Sequence, residues 1–144
     1  MTGPGMKPIR LLLVDDQRAV RRGLRMRFAL EPDLEVIGEA GDATEEVSLV
    51  QTLRPDVILM DVDMSGTNGI SAIATLRQVA PHSTAVIFTL YDDAATRARA
   101  REAGAAAFVA KHQTEEALLA AIRRAAVEHE EEEHGDGMCD GRDR

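Results

Sequence analysis

The amino-acid sequence predicts an α/β domain built on a doubly wound, five-stranded parallel sheet. Two observations carry that expectation. Apolar runs of strand length alternate with segments of helical periodicity five times between about Lys7 and Val127, the pattern that lays helices on both faces of a parallel sheet. The connections are short, with no long structureless stretch between elements. A chain of 144 residues is long enough to bury one real core.

Ile9-Arg10-Leu11-Leu12-Leu13-Val14 is nearly continuous in apolar residues, as a strand covered on both faces must be, and it runs straight into Asp15-Asp16. From Gln17 to Leu30, Val20, Leu24 and Phe28 recur at helical spacing until Pro32 enforces an end. Leu34 to Ala40 reads as a second strand, polar enough for a sheet edge. Asp42-Ala43-Thr44-Glu45 has the form of a capping box, opening a helix through Val47, Val50 and Leu53 that Pro55 stops. Val57 to Met60 is a third, buried strand, and a turn containing Gly66 and Gly69 follows it. A helix then carries Ile70, Ile73, Ala74, Leu76 and Val79 as far as Pro81. Ala85 to Phe88 is the fourth strand, ending at Thr89. Ala94 to Ala103 is an Ala/Arg-rich helix with Gly104 as its left-handed cap. Ala106 to Val109 is the fifth strand; Lys111 follows it, and Thr114 caps a last helix through Leu118, Leu119, Ile122 and Ala126. Residues 1–6 are expected to be a disordered extension, 7–127 the domain, and 128–144 an acidic disordered tail.

Composition narrows the function classes. The formal charge is −8, and from Glu128 onward eight acids face two arginines, so −6 of it belongs to the tail and −2 to the body. A near-neutral body argues against direct nucleic-acid binding, which depends on clustered cations. One cysteine, Cys139, excludes a disulfide framework or a four-cysteine zinc site and suits a reducing cytosol. No apolar run approaches the roughly 18 residues a membrane span needs, and the start lacks the apolar core of a secretory signal.

The chemistry-bearing residues all fall at strand exits. Asp15 and Asp16 follow the first strand, Asp61 the third, Thr89 the fourth and Lys111 the fifth. In an open parallel sheet, ligands bind beyond the carboxyl ends of the strands, so periodicity and polarity converge on one pocket. Crowded carboxylates repel by about 4 kcal/mol per pair at an effective dielectric near 20. A hard cation such as Mg²⁺, typically held by one or two carboxylates plus phosphate and water, removes that cost. One carboxylate is then free to attack phosphorus and form an aspartyl phosphate. Lys111 supplies a fixed positive charge for phosphoryl oxygens and Thr89 a hydroxyl donor. No glycine-rich dinucleotide fingerprint or P-loop follows the first strand, so a nucleotide-binding reading lacks support.

With Asp15-Asp16, Asp61 in Leu-Met-Asp-Val-Asp-Met-Ser-Gly, Thr89 after an apolar strand and Lys111 after Phe108-Val109-Ala110 in that order, the chain resembles a response-regulator receiver domain of two-component signalling. The resemblance covers nearly everything from Ile9 to Val127 and is nearest in pattern to NarL/FixJ-type receivers. It implies a flavodoxin-like (CheY-like) (βα)₅ fold with strand order 2-1-3-4-5. It implies Asp61 as phosphoacceptor, and Asp15, Asp16, Asp61 and the backbone carbonyl of Asp63 as ligands of Mg²⁺ (or Mn²⁺). Thr89 and Lys111 would contact the phosphoryl group, and Thr89 and Phe108 would hold the switch positions. The implied partners are a sensor histidine kinase or phosphotransfer protein and a downstream protein effector, with a homodimer possible; neither nucleic acid nor membrane is a direct partner. The place of action would be the cytoplasm. Two departures stand out: His112 and Ser65 occupy positions where many receivers have proline, the second implying a looser turn. Asp63 and Tyr91 fall where family members vary and tune phosphoryl lifetime.

Each residue also has a plainer reading. Asp15 and Asp16 could cap the following helix, Thr89 could be a strand residue, Lys111 a solvated lysine and Phe108 a core aromatic. Arg18, Arg21, Arg22, Arg25 and Arg27, with no acid among them, read first as a solvated face and second as a docking surface for an acidic partner. His129, Glu130 to Glu133, His134 and Cys139 lack a scaffold for a metal site. As a function, a stand-alone signalling receiver, which is not a turnover enzyme, leads. A receiver fragment of a NarL/FixJ-type transcriptional regulator stands beside it. A haloacid-dehalogenase-type phosphatase, suggested by Asp61-Val62-Asp63, is disfavoured because its extra acids would follow the nucleophile late in the chain.

Overall fold

A computed structural model of the chain describes residues 7–64 and 67–142, with side chains described for 7–63 and 69–128. The element order is β1 (Ile9–Val14), α1 (Arg18–Phe28), β2 (Leu34–Ala40), α2 (Ala43–Leu53), β3 (Val57–Met60), β4 (Asp63–Met64), β5 (Thr67–Asn68), α3 (Gly69–Val79), β6 (Thr84–Thr89), α4 (Ala94–Ala103), β7 (Ala107–Ala110) and α5 (Glu115–Arg142). Five strands form one sheet in the order β2-β1-β3-β6-β7. All four pairings are parallel. Counting only those strands, this is the expected 2-1-3-4-5 order, with the polar second strand at an edge.

The two faces of the sheet follow from period-two alternation. Leu11 and Leu13 of β1, Val57 and Leu59 of β3 and Val86 of β6 pack with Phe28 of α1 and Leu118, Leu119 and Ile122 of α5. Leu12, Val14, Ile58, Met60, Ala85 and Ile87 face the other way, against Val50 of α2, Ile73 and Leu76 of α3 and Ala100 of α4. A continuous apolar run is thus what a strand buried on both sides requires.

Helix boundaries match the local chemistry. The Asp42 carboxylate accepts from Glu45 N–H at 2.8 Å, and Glu45 Oε1 accepts from Gly41 N–H at 2.7 Å, a capping box displaced by one residue. Thr114 Oγ1 accepts from Ala117 N–H at 3.1 Å. Gly104 closes α4 at φ 121°, a backbone angle that side chains rarely adopt.

One expectation needs correcting. The short antiparallel pair β4 and β5, Asp63 opposite Asn68 and Met64 opposite Thr67, occupies what reads in sequence as a plain turn. Two-residue strands carry too little periodicity to signal themselves. The backbone of α5 continues to Arg142. The extension expected at residues 1–6 and the turn residues Ser65 and Gly66 lie outside the described residues.

Candidate functional site

The site is built where the parallel ladder runs out. Asp15 N–H continues the β1–β2 pairing to Ala40 O at 3.1 Å, Asp61 N–H bonds Val14 O at 3.1 Å, and Lys111 N–H bonds Thr89 O at 2.7 Å. Each functional residue is therefore anchored by its own backbone at the carboxyl edge of a rigid strand, while its side chain stands above the edge.

Lys111 joins the two central acids. Its Nζ donates to Asp15 Oδ2 at 2.8 Å and to Asp61 Oδ2 at 2.9 Å. The remaining oxygens are also satisfied: Asp15 Oδ1 accepts from Gln17 N–H and Asp61 Oδ1 from Asp63 N–H, both at 2.9 Å. The acids are 3% and 6% exposed. Burial works against the Lys111 ammonium, but its hydrogen bonds to Asp15 and Asp61 outweigh that cost and raise its pKa above the ordinary lysine value. The Phe88 ring lies 5.8 Å from Nζ and forms an apolar wall beside the charge.

The plainer readings can now be weighed. Gln17 caps α1 without a side-chain hydrogen bond; Asp15 holds Gln17 N–H with one oxygen and Lys111 with the other, so it positions the helix start and serves the site together. Asp16 is half-buried beside it, and Asp63 is exposed with its N–H on Asp61. Thr89 is fully buried and accepts from Tyr91 N–H at 3.3 Å. Lys111 is no solvated lysine. Phe108 is half-buried on β7, with the Arg97 guanidinium 4.9 Å from its ring centre, and Arg97 is itself tied to Asp92 at 2.6 Å.

The donor set suits a small hard cation: two buried carboxylates side by side, a third acid adjacent in sequence, all oxygen ligands. Among the described residues no three His, Cys, Asp or Glu side chains already form a ready-made cage. A metal that completes its shell with phosphate and water does not need one.

Sequence reasoning missed three supports. Arg21 donates to the Asp15 carbonyl and to Glu39 Oε1 at 2.9 Å. Gln113 Oε1 accepts from Ala110 N–H at 2.7 Å, closing the turn that carries Lys111. Arg97 covers Phe108. None was read from the sequence: Arg21 and Arg97 reach other elements, and the Gln113 bond is a turn contact without an apolar pattern to mark it. The arginines of α1 also divide: Arg21 and Arg25 pair with Glu39, Arg27 with Glu31 and Glu115, and Arg18 and Arg22 remain exposed.

Comparison with known proteins gives a consistent result. The family description "Response regulator receiver domain" matches residues 11–123. The chain is 35% identical over 123 residues to the nitrate/nitrite response regulator protein NarP of Escherichia coli K12, covering 85% of this chain and 57% of that protein. It is 39% identical over 118 residues to the uncharacterized transcriptional regulatory protein YxjL of Bacillus subtilis 168, covering 82% of this chain and 54% of that protein. Among solved structures, a LuxR-family two-component response regulator from Aurantimonas sp. SI85-9A1 superimposes with a TM-score of 0.80 at 34% identity, over 84% of this chain and 86% of that one. The signal receiver domain of a NarL response regulator from Mycobacterium tuberculosis gives 0.78 at 28% identity, over 83% and 97%. The chain spans about half the length of the curated relatives it matches.

Proposed function

The chain belongs to the response regulator receiver domain family, and on that premise we propose that it is a phosphorylation-dependent switch with Asp61 as its phosphoacceptor. The observation that carries this reading is the buried Asp61 carboxylate at a strand exit, sharing the Lys111 ammonium with Asp15. A sensor histidine kinase or phosphotransfer protein presents a phosphohistidine. An Asp61 carboxylate oxygen attacks phosphorus, the new P–O bond forms as the P–N bond breaks, and the imidazole leaves with the electron pair. Lys111 then follows the charge from the carboxylate to a phosphoryl oxygen, and the Thr89 hydroxyl donates to another. Asp15, Asp16, Asp61 and the Asp63 carbonyl would hold Mg²⁺ (or Mn²⁺), which when bound neutralises charge on the phosphoryl group.

Phosphorylation adds charge at a site whose hydrogen bonds are already complete, so Lys111 and Thr89 must change partners. Those changes bias the surface around α4 and β7, where Phe108 lies, and a protein effector or a second copy reads the result. The chain in this reading modifies itself and turns over no separate substrate. It works in the cytoplasm with its kinase; among the described residues no helix is long and apolar enough to cross a membrane. A second reading, the receiver portion of a NarL/FixJ-type transcriptional regulator, is favoured by the length of the relatives, of which this chain matches 54–57%.

Intact mass after incubation with acetyl phosphate tests the core of the proposal. A gain of one phosphoryl group that needs Mg²⁺ and disappears in Asp61→Asn supports it. An equal gain in that variant would overturn the assignment.

A further inference from the structure

At the pole opposite Asp61, the ends of α3 and α4 and the starts of β6 and β7 enclose a cavity of about 280 Å³. Arg77, Arg101, Thr84 and Gly104 line it, with Glu128 at the same wall. We propose that this cavity binds a small phosphate-bearing anion, with the Arg77 and Arg101 guanidiniums as its ligands.

Three observations support an occupant. The first is charge. Neither arginine has a carboxylate partner among the described residues, whereas Arg21, Arg25, Arg27, Arg97 and Arg123 all do. Among the described lining residues two guanidiniums face one carboxylate, and a guanidinium fork matches phosphate geometry.

The second is that the helix ends do not need these cations. Basic residues often complement a helix C-terminus, and Arg77 and Arg101 do lie in last turns. Three of the terminal carbonyls, however, already take backbone donors: Ala100 O accepts from Gly104 N–H at 3.1 Å and from Ala105 N–H at 3.0 Å, Arg101 O from Gly104 N–H at 3.0 Å, and Leu76 O from Ala80 N–H at 2.7 Å.

The third is positioning. Arg77 lies across Gly104 so closely that a Cβ there would collide with Arg77 Cδ. Gly104 therefore does two things: it adopts the positive φ that ends α4 and it seats the Arg77 stem against the cavity. A long side chain held by packing loses less freedom on binding than a free one.

The test is an amide-resolved NMR titration of the full chain with inorganic phosphate and, separately, with ribose 5-phosphate. The proposal expects saturable shifts at Thr84, Ala105 and Ala106, weakened about tenfold by Arg77→Gln or by Arg101→Gln. Glu128→Gln should tighten binding by removing the like charge. Tighter binding of the sugar phosphate would identify an ester as the ligand, and equal binding the free anion; both support the site. All these variants alter exposed side chains, so unchanged thermal melts certify the fold. Shifts confined to the Asp61–Lys111 edge, or shifts at the cavity that survive both arginine substitutions, would overturn it.

Discussion

At the carboxyl edge of the sheet, Asp15 and Asp61 are almost wholly buried, yet each of their four oxygens has a donor. In the first turn of α2, Glu46 is fully buried and neither of its oxygens has a hydrogen-bond partner. Burial raises the cost of a charge in both places. Partners decide what the group does about it. Lys111 and two backbone N–H groups give every oxygen of the two aspartates a donor at the carboxyl edge. Glu46, with Val50 one turn further along the same helix stripe, answers by holding its proton: burial pushes its carboxyl up to about 8. The same functional group is fully hydrogen-bonded in one place and a neutral filler in the other.

The largest effect that could break this comparison is chemical. Asp61→Asn should abolish phosphoryl gain, and chelation of divalent cations should abolish it in the unaltered chain, both read by intact mass. Next in size is Lys111→Met, which leaves two buried carboxylates without their shared cation. Losing one partner of a buried ion pair costs about 3–5 kcal/mol, and denaturant melts should show it. Adding Asp61→Asn to that variant should recover part of the loss. A Lys111→Met protein as stable as the parent would mean that the edge is wetter than its burial indicates.

Glu46→Gln should act with the opposite sign. The folded-state pKa is raised, from 4.5 to about 8, so the protonated form stabilises the fold. That contribution is complete below the unfolded value and is lost as pH rises toward the folded one. Between pH 4.5 and 7 the parent should lose about 3 kcal/mol that the glutamine variant keeps. Parallel stability-versus-pH curves for the two proteins would show that Glu46 has a partner after all.

Much of the paired region was legible in the sequence, and almost none of the unpaired one. Asp15, Asp61, Thr89 and Lys111 announce themselves because a charge or hydroxyl at the end of an apolar run breaks a pattern, and parallel topology sends all such breaks to one edge. Glu46 breaks nothing: in Ala43-Thr44-Glu45-Glu46-Val47 it reads as a second acid in a helix's first turn, where acids are favoured. Which of two adjacent glutamates faces the core is a matter of about 100° of helix rotation, settled by how α2 docks on the sheet. Arg21 and Arg97 were invisible for a related reason, since their partners Glu39 and Phe108 lie on other elements. The hairpin of β4 and β5 was missed because two-residue strands are too short for periodicity.

The smallest effect sharpens the contrast between partnered and unpartnered acids. Between α1 and β2, Asp33 accepts two hydrogen bonds from Arg123, from Nε at 2.7 Å and from Nη2 at 2.9 Å, and Glu31 accepts from the same guanidinium at 2.8 Å. Those bonds hold the Asp33 carboxyl below its ordinary value, the reverse of Glu46. The sign of its pH dependence is therefore reversed too: its contribution is present above the unfolded value and disappears as pH falls through the folded one. Both partners are more than a third exposed at the side chain, so solvent screens the pair and Asp33→Asn should cost less than about 1 kcal/mol at pH 7. The cost should shrink in high salt and vanish in acid, where the parent has lost the same interaction. Glu46→Gln should be insensitive to salt, because its term is desolvation and not attraction. Melts of both variants at two salt concentrations separate the mechanisms; a salt response at Glu46 would place a charge beside it and dissolve the distinction.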